Sequence, residues 1–198
     1  MKKTLLALLL VVTALSSFAQ YGRRGGSECP KVYLGLSTGL NNTNGLLGIN
    51  LDVPISPSFS LGAGGGLSTW GWKAFFEGRY YFGQECNRGW AIGTGLTYNT
   101  GLSGSLEVDQ DPEGLGIPPA RVTIEPVPAA FLSMYRFFNI GQRGNRFYLQ
   151  LGWSQRFNDK PYSSSPFQPL TSDGETVMRI LSPGGVIFGV GFSFGIVR

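Results

Sequence analysis

Apolar residues alternate with small or polar residues along most of the chain after residue 30, which is the period-two pattern of β-strands. The last segment shows the pattern in Val186, Phe188, Val190, Phe192, Phe194 and Ile196, which alternate with Ile187, Gly189, Gly191, Ser193 and Gly195. Segments of this kind are separated by clusters of Gly, Pro, Asn and Ser, which favour turns. They predict eight strands, near residues 32–40, 47–55, 59–68, 73–82, 90–99, 121–138, 146–157 and 186–196.

The sixth predicted strand and the connections carry further information about the topology. Pro126 and Pro128 each remove a backbone donor from the sixth strand, which indicates a bulge or a part of the strand that rises beyond the main sheet. The two long loops, 100–120 and 158–183, both follow odd-numbered strands, whereas the connections after even-numbered strands are short. Both long loops are therefore expected at the same end of the molecule.

The composition of the two strand faces favours a membrane barrel over a soluble one. One face carries mainly Gly, Ser, Thr and Asn with few charges, which suits the crowded inside of an eight-stranded barrel. The other face carries large apolar side chains. Strands of about ten residues, tilted by about 40°, cover roughly 25 Å, the height of the apolar band of outer-membrane barrels. The predicted fold class is all-β: an eight-stranded antiparallel up-and-down transmembrane β-barrel over residues 31–198.

Aromatic residues gather near the predicted strand ends, as expected of two interfacial girdles. We expect one girdle to contain Trp70, Trp72, Tyr98 and Phe157. We expect the other to contain Tyr80, Phe82, Trp90, Phe137, Phe138 and Phe147.

The N-terminal residues have the layout of a secretory signal peptide. Lys2 and Lys3 precede an apolar run over residues 5–15, and Ser17-Phe18-Ala19 fits the small-x-small cleavage pattern. The run is shorter than the roughly 20 residues of a membrane helix. Residues 1–19 are predicted to be removed, leaving 20–30 as a short periplasmic segment before the barrel.

Charge and composition limit the chemistry. Removing the two lysines lowers the net charge from +4 to +2, which is 14 − 12, and no basic cluster interleaved with aromatics suggests nucleic acid. The chain has no histidine, which excludes histidine-dependent catalysis and histidine metal sites. Asp109, Asp111 and Glu113 have part of a calcium-loop spacing, but Ala120 stands where the last acidic ligand belongs. We predict no enzyme activity, cofactor or metal.

Charged residues on the small-residue face are candidates for a polar network inside the barrel. The predicted network comprises Asp52, Lys73, Glu77, Arg79, Glu125 and Arg156, with Gln150 as a further candidate. It could line a pore or form a buried set of ion pairs. Because eight strands leave no aqueous channel, the ion-pair interpretation is favoured.

Two cysteines, Cys29 and Cys86, are present in the sequence. Export implies an oxidising compartment, and the predicted topology puts both residues on the periplasmic side. A disulfide between them could contribute roughly 4 kcal/mol in the chain-entropy model. Strands one and four are not neighbours, so the alternative of two free thiols stays open.

Two segments carry a resemblance to a known family. The run Gly48-Ile49-Asn50-Leu51-Asp52-Val53-Pro54-Ile55-Ser56, followed by Phe59-Ser60-Leu61-Gly62, resembles the second hairpin of small outer-membrane β-barrel proteins of the Bacteroidetes type, and Phe192-Ser193-Phe194-Gly195 resembles their closing strand. The resemblance implies an OmpA/OmpX-like barrel in the outer membrane of a Gram-negative bacterium, without a peptidoglycan-binding domain. It implies outer-membrane lipid, lipopolysaccharide and the barrel assembly machinery as partners.

Several functions fit this expectation. The first is a structural role in the envelope or the display of loops, without catalysis. A surface adhesin or receptor that binds an unidentified ligand through loops 100–120 and 158–183 is the alternative. A secreted lipocalin-like carrier, with the apolar face turned inward around a ligand, is a further alternative, and a membrane enzyme ranks last.

Overall fold

The computed structural model describes residues 30–83, 89–102, 105–108, 119–140, 144–164 and 170–197. In chain order its elements are β1 (Val32–Leu40), β2 (Leu47–Ser56), β3 (Phe59–Ser68), β4 (Gly71–Tyr81), β5 (Gly89–Asn99), β6 (Ser105–Val108), β7 (Ala120–Ile124), β8 (Val127–Ile140), β9 (Asn145–Arg156), β10 (Tyr162–Ser164), α1 (Ser172–Leu181) and β11 (Gly185–Val197). Strands β1 to β5, β8, β9 and β11 form a closed antiparallel barrel in which β11 pairs with β1. This confirms the predicted eight-stranded antiparallel barrel.

The two ends of the barrel differ in their connections. At one end, which we call the turn end, β2 joins β3, β4 joins β5 and β8 joins β9, each through a short segment. At the other, which we call the loop end, the long connections from β5 to β8 and from β9 to β11 lie together. The predicted placement of both long loops at one end is therefore confirmed.

Strand pairing aligns the outward side chains into apolar rows around the barrel. Leu36 of β1 lies opposite Ile49 on one side and Phe192 on the other, and these three side chains are 49%, 58% and 48% exposed. Their chain neighbours of opposite parity, such as Ser37 and Asn50, are buried. The period-two alternation of the sequence thus becomes an apolar outer surface and an interior that holds the polar side chains together with several aromatic ones.

The sixth predicted strand is not one strand. Residues 121–138 divide into β7 and β8 at Glu125 and Pro126, and only β8 pairs within the barrel, with β5 and β9. Pro126 lies in the break, where its carbonyl accepts a hydrogen bond from Asn158 Nδ2 at 3.3 Å. Pro128 lies within β8, where its missing donor is tolerated near the strand end.

A small second layer covers the loop end. Strands β6, β7 and β10 form a three-stranded sheet in the order β10-β7-β6. Val122 and Ile124 of this sheet are buried. They pack with Met178 of α1, with Trp70 of the β3–β4 turn and with Val127 at the start of β8. We call β6, β7, β10 and α1 the loop-end cap. Segments 100–120 and 158–183, predicted as loops, therefore contain regular elements.

Helix α1 begins with a capping contact, because the Gly174 amide donates to Thr171 Oγ1 at 3.2 Å. Asp173 and Glu175 lie in its first turn and Arg179 in its last, which is the charge order that a helix dipole favours. Across the described ranges, the structure holds no helix of the length and apolarity that crossing a membrane takes.

Candidate functional site

The barrel interior holds a charge cluster that strands β2, β4 and β9 position. Asp52 Oδ2 accepts from Arg79 Nη1 at 3.2 Å, and it also pairs with Arg146 Nη2. The Tyr81 hydroxyl donates to the same oxygen at 3.2 Å. Asp52 and both arginines are buried. One carboxylate oxygen therefore joins three strands of the barrel.

A second carboxylate completes the charge balance of this cluster. Arg79 Nη2 pairs with Glu77 Oε1 on the same face of β4, and the Tyr135 hydroxyl donates to Glu77 Oε2 at 2.7 Å. Gln150 Nε2 donates to the Tyr135 hydroxyl at 2.9 Å. Two arginines and two carboxylates thus form a neutral group, which we call the interior charge cluster: Asp52, Glu77, Arg79 and Arg146.

Aromatic rings surround the two guanidinium groups. Arg79 Cζ lies 4.3 Å from the ring centroid of Tyr135. Arg146 Cζ lies 3.7 Å from the centroid of Tyr33 and 4.5 Å from that of Phe137. Cation–π contacts of this kind are strongest where water is excluded. The rings therefore help to hold buried arginines that would otherwise be costly to desolvate.

Glycines on the inward face make room for these large side chains. A Cβ at Gly93 would lie 2.9 Å from Tyr135 Cε2 and 3.1 Å from Glu77 Oε2. Gly191 faces the Tyr148 ring in the same way. The interior is therefore filled by pairing the smallest residue with the largest, rather than by small residues alone.

A different polar group fills the interior at the loop end. The turn between β1 and β2 folds inward, so that Asn42, Thr43 and Asn44 are buried. Asn44 Nδ2 donates to Asn50 Oδ1 at 3.1 Å. Lys73 Nζ donates to the Asn42 carbonyl at 2.9 Å and to the Asn41 carbonyl at 3.3 Å. We call residues 41–46 the inner turn.

The structure brings together part of the predicted polar network. Asp52, Glu77 and Arg79 lie in the interior charge cluster, and Lys73 lies inside the barrel but contacts the inner turn instead. Gln150 also points inward.

Two members of the predicted network lie outside the interior charge cluster, and the inclusion of Glu125 was wrong. Glu125 lies in the break between β7 and β8 with its side chain exposed, because the chain leaves the barrel there. Arg156 ends β9 at the loop end, where its Nη1 donates to Ser182 Oγ.

Arg146 was missed by the sequence analysis, although the signal was available. It has the same parity as Tyr148 and Gln150, which both point inward. The predicted strand 146–157 already contained it, at the first position of that strand. Reading the inward face of that strand from its first residue, rather than from Tyr148, would have identified Arg146.

Two aromatic residues assigned to the girdles lie elsewhere. Phe137 is buried in the barrel interior between Tyr81 and Tyr148. Trp70 is buried in the core of the loop-end cap, where its Nε1 donates to the Glu125 carbonyl at 3.1 Å. Tyr80, Phe82, Trp90 and Phe138 near the turn end, and Trp72, Tyr98 and Phe157 near the loop end, are exposed on the outside.

Some candidate residues lie outside the described ranges. These are Cys29, Cys86, Asp109, Asp111, Glu113 and the signal-peptide segment 1–19. The disulfide between the two cysteines stays a prediction. Within the described residues, no group of three or more His, Cys, Asp and Glu side chains is arranged to hold a metal ion.

Comparison with known proteins finds a similarity in backbone fold. No family model and no curated protein matches the chain. Among solved structures, the chain is similar to the N-terminal β-barrel domain of OprF from Pseudomonas aeruginosa, with a TM-score of 0.43 and 12% identity, covering 82% of this chain and 95% of that domain. So distant a likeness carries no functional argument, and the Bacteroidetes-type resemblance gains no support from it. The barrel assignment rests on the strand pairing itself.

Proposed function

We propose that this chain is an integral outer-membrane β-barrel protein with a structural role in the envelope, and that it displays the loop-end cap on the outer side of the cell. The observation that carries the proposal is the inverted distribution of side chains in the barrel. Outward residues such as Leu51, Phe76 and Leu132 are 44%, 56% and 54% exposed, whereas Asp52 and Glu77 are 0% exposed. In water this arrangement would leave the apolar side chains hydrated.

The dimensions of the strands support the same proposal. β3 has ten residues and β5 has eleven. At about 3.3 Å per residue and a tilt of about 40°, such strands rise by roughly 25 Å, which matches the apolar band of outer-membrane barrels. Closure of the sheet also leaves no free barrel edge to meet lipid, as a membrane requires.

The filled interior argues for a structural barrel rather than a carrier. A lipocalin-like carrier needs an apolar cavity around an internal ligand. Here most large aliphatic side chains point outward, and the inward Phe75, Phe131 and Ile187 pack against one another. The interior positions are taken by the charge cluster, its aromatic neighbours and the inner turn. The proposed partners are accordingly on the outside: membrane lipid, lipopolysaccharide around the outer rim, and the barrel assembly machinery during insertion.

The first experiment tests membrane insertion directly. Chain lacking residues 1–19 is refolded into phospholipid vesicles, and the quenching of Trp72, Trp90 and Trp153 by brominated acyl chains is measured. These three tryptophans are exposed on the barrel's outer face at 63%, 49% and 55%. We expect strong quenching and protection of the barrel strands from added protease. Recovery as a stable, detergent-free monomer in water would contradict the proposal and favour the carrier.

The second experiment tests the envelope role. A deletion strain is complemented with the full chain or with a barrel in which short turns replace the connections from β5 to β8 and from β9 to β11. We expect the full chain to reverse leakage of a periplasmic enzyme. If the barrel alone restores integrity, the role lies in the barrel. If neither form changes leakage, the envelope role is wrong.

A further inference from the structure

A cationic aromatic cluster lies on the outer face of the barrel at the turn end. Arg136 of β8 pairs across the sheet with Trp90 of β5. Its Cζ lies 5.3 Å from the Trp90 ring and 5.4 Å from the Phe138 ring. Tyr80 near the end of β4 and Phe82 just after that strand continue the patch, with their rings 5.7 Å apart and edge-to-face.

Arg136 differs from the two buried arginines in its partners. Arg79 and Arg146 each contact Asp52 inside the barrel. Within the described residues, no carboxylate lies within ion-pair distance of Arg136, which is half-buried against the rings. Among the described residues, its charge therefore has no acidic partner, on a face that is otherwise apolar and aromatic.

The position of the cluster along the barrel matches a headgroup layer. Trp90 is the second residue of β5, so it lies close to the turn end of the barrel. There the Phe82 amide donates to the Trp90 carbonyl at 3.0 Å. Aromatic rings and long basic side chains are favoured at this depth, where apolar parts meet acyl chains and charged ends meet headgroups.

We propose that Arg136 and Trp90 form a binding site for the phosphate of an anionic phospholipid in the leaflet at the turn end. This inference rests on the proposed membrane function. A guanidinium can donate two parallel hydrogen bonds to phosphate oxygens. The rings of Trp90 and Phe138 hold the guanidinium at the outer wall of the barrel, where a lipid phosphate would reach it.

The experiment uses Trp90 as a reporter of the lipid beside it. The sequence has four tryptophans, and Trp70 is buried at 1% exposure in the cap. In a W72F/W153F parent, Trp90 is the remaining lipid-facing tryptophan. Vesicles contain phosphatidylcholine and phosphatidylglycerol, with bromine placed on the chains of one lipid or the other. We expect the phosphatidylglycerol beside Trp90 to be enriched about fivefold over its bulk fraction, the attraction typical of one basic residue at an anionic surface.

Substitution of the arginine supplies the test of the site. R136Q in the same parent should reduce the enrichment to about onefold. R179Q is the matched control, because it removes one positive charge from exposed α1 in the loop-end cap and should leave the enrichment unchanged. Raising the salt concentration to about 1 M, where the Debye length falls to about 3 Å, should lower the enrichment in the unsubstituted parent.

The outcomes separate the site from the membrane function. Equal quenching by both brominated lipids in the parent, enrichment that R136Q leaves unchanged, or an equal loss in R179Q would overturn the lipid site while the barrel remains inserted. Absence of quenching by either brominated lipid would mean that Trp90 is not in a bilayer, which would overturn the proposed function itself. If R136Q does not insert, an enrichment that salt does not change would still overturn the site.

Discussion

The barrel buries charged side chains beside its aromatic ones, whereas the loop-end cap buries an apolar core. The barrel encloses Asp52, Glu77, Arg79 and Arg146, whereas the cap encloses Trp70, Val122 and Met178 and leaves the Arg121–Glu107 pair exposed. A fold buries what its surroundings solvate least. Under the proposed function, the two regions have different surroundings: lipid around the barrel and water around the cap.

Two tryptophans mark where the change occurs. Trp70 is 1% exposed in the cap core, and Trp72, two residues later on β4, is 63% exposed on the outside of the barrel. Trp72 and Tyr98 on neighbouring strands form the last outward aromatic level before the cap. Under the proposed function, the membrane surface lies at this level.

The largest effect is expected from the centre of the interior charge cluster. D52N keeps the shape of the side chain but leaves Arg79 and Arg146 without the carboxylate that they share. Breaking a buried pair in this way costs about 3–5 kcal/mol. Urea unfolding in lipid vesicles, followed by tryptophan fluorescence, measures the change in the free energy of unfolding.

The control for this prediction is an aspartate outside the cluster. Asp159 is exposed beyond the end of β9, and D159N should change stability by no more than about 0.5 kcal/mol. A loss of less than about 1 kcal/mol in D52N would mean that Asp52 does not hold the arginines together.

Removing the central side chain of the cap should lower the free energy of unfolding by a similar amount, but only in the cap. W70A empties the cap core and should destabilise the cap by about 3–5 kcal/mol. Hydrogen exchange of β7 and α1 should rise, while exchange in β4 and β5 below the rim stays slow. W72A, two residues along, serves as the control and should leave cap exchange unchanged. If β4 and β5 exchange as fast as the cap in W70A, the two regions unfold as one unit.

A charge placed on each outer surface tests the two surroundings directly. Leu132 lies outward opposite Thr94, at the middle of β5. L132R should cost about 2–4 kcal/mol in vesicles, the range for a cation near the bilayer midplane. I180R, on an α1 residue that is 76% exposed, should change stability by no more than about 0.5 kcal/mol. Equal tolerance of the two substitutions would contradict a lipid-facing barrel.

Sequence pattern was sufficient for the barrel because its strands are long enough to show their period. Nine or more residues of alternation in β1 to β5 and in β11 fix which side chains share a face. The same parity places Asp52, Glu77 and Arg79 inside. It also places Phe137 inside, with Tyr135 and Ser133, so its assignment to the outer girdle ignored information that the pattern contained.

The cap was beyond the reach of the same reasoning. β6, β7 and β10 have four, five and three residues, which is too short for alternation to distinguish a strand from a loop. Trp70 lies in a turn, where parity does not apply, and only the packing of distant segments buries it. Helix α1 did have local signals, namely Thr171 as its cap and Arg179 in its last turn, but Gly174 weakens them.

The smallest effect is expected from the exposed ion pair of the cap. It joins an arginine to a carboxylate, as the interior charge cluster does, but on an exposed surface. Arg121 Nη2 lies 3.1 Å from Glu107 Oε1 on directly opposed residues of β7 and β6, and both side chains are more than half exposed, at 64% and 58%. A double-mutant cycle of R121Q and E107Q should give a coupling of about 0.2–1 kcal/mol, because solvent and side-chain entropy offset most of the attraction. The coupling should disappear in about 1 M salt, whereas the loss caused by D52N should not change, because screening reaches exposed charges far more than buried ones. A salt-resistant coupling at Arg121 would place the cap in surroundings more like the barrel interior, and would remove the contrast between the two regions.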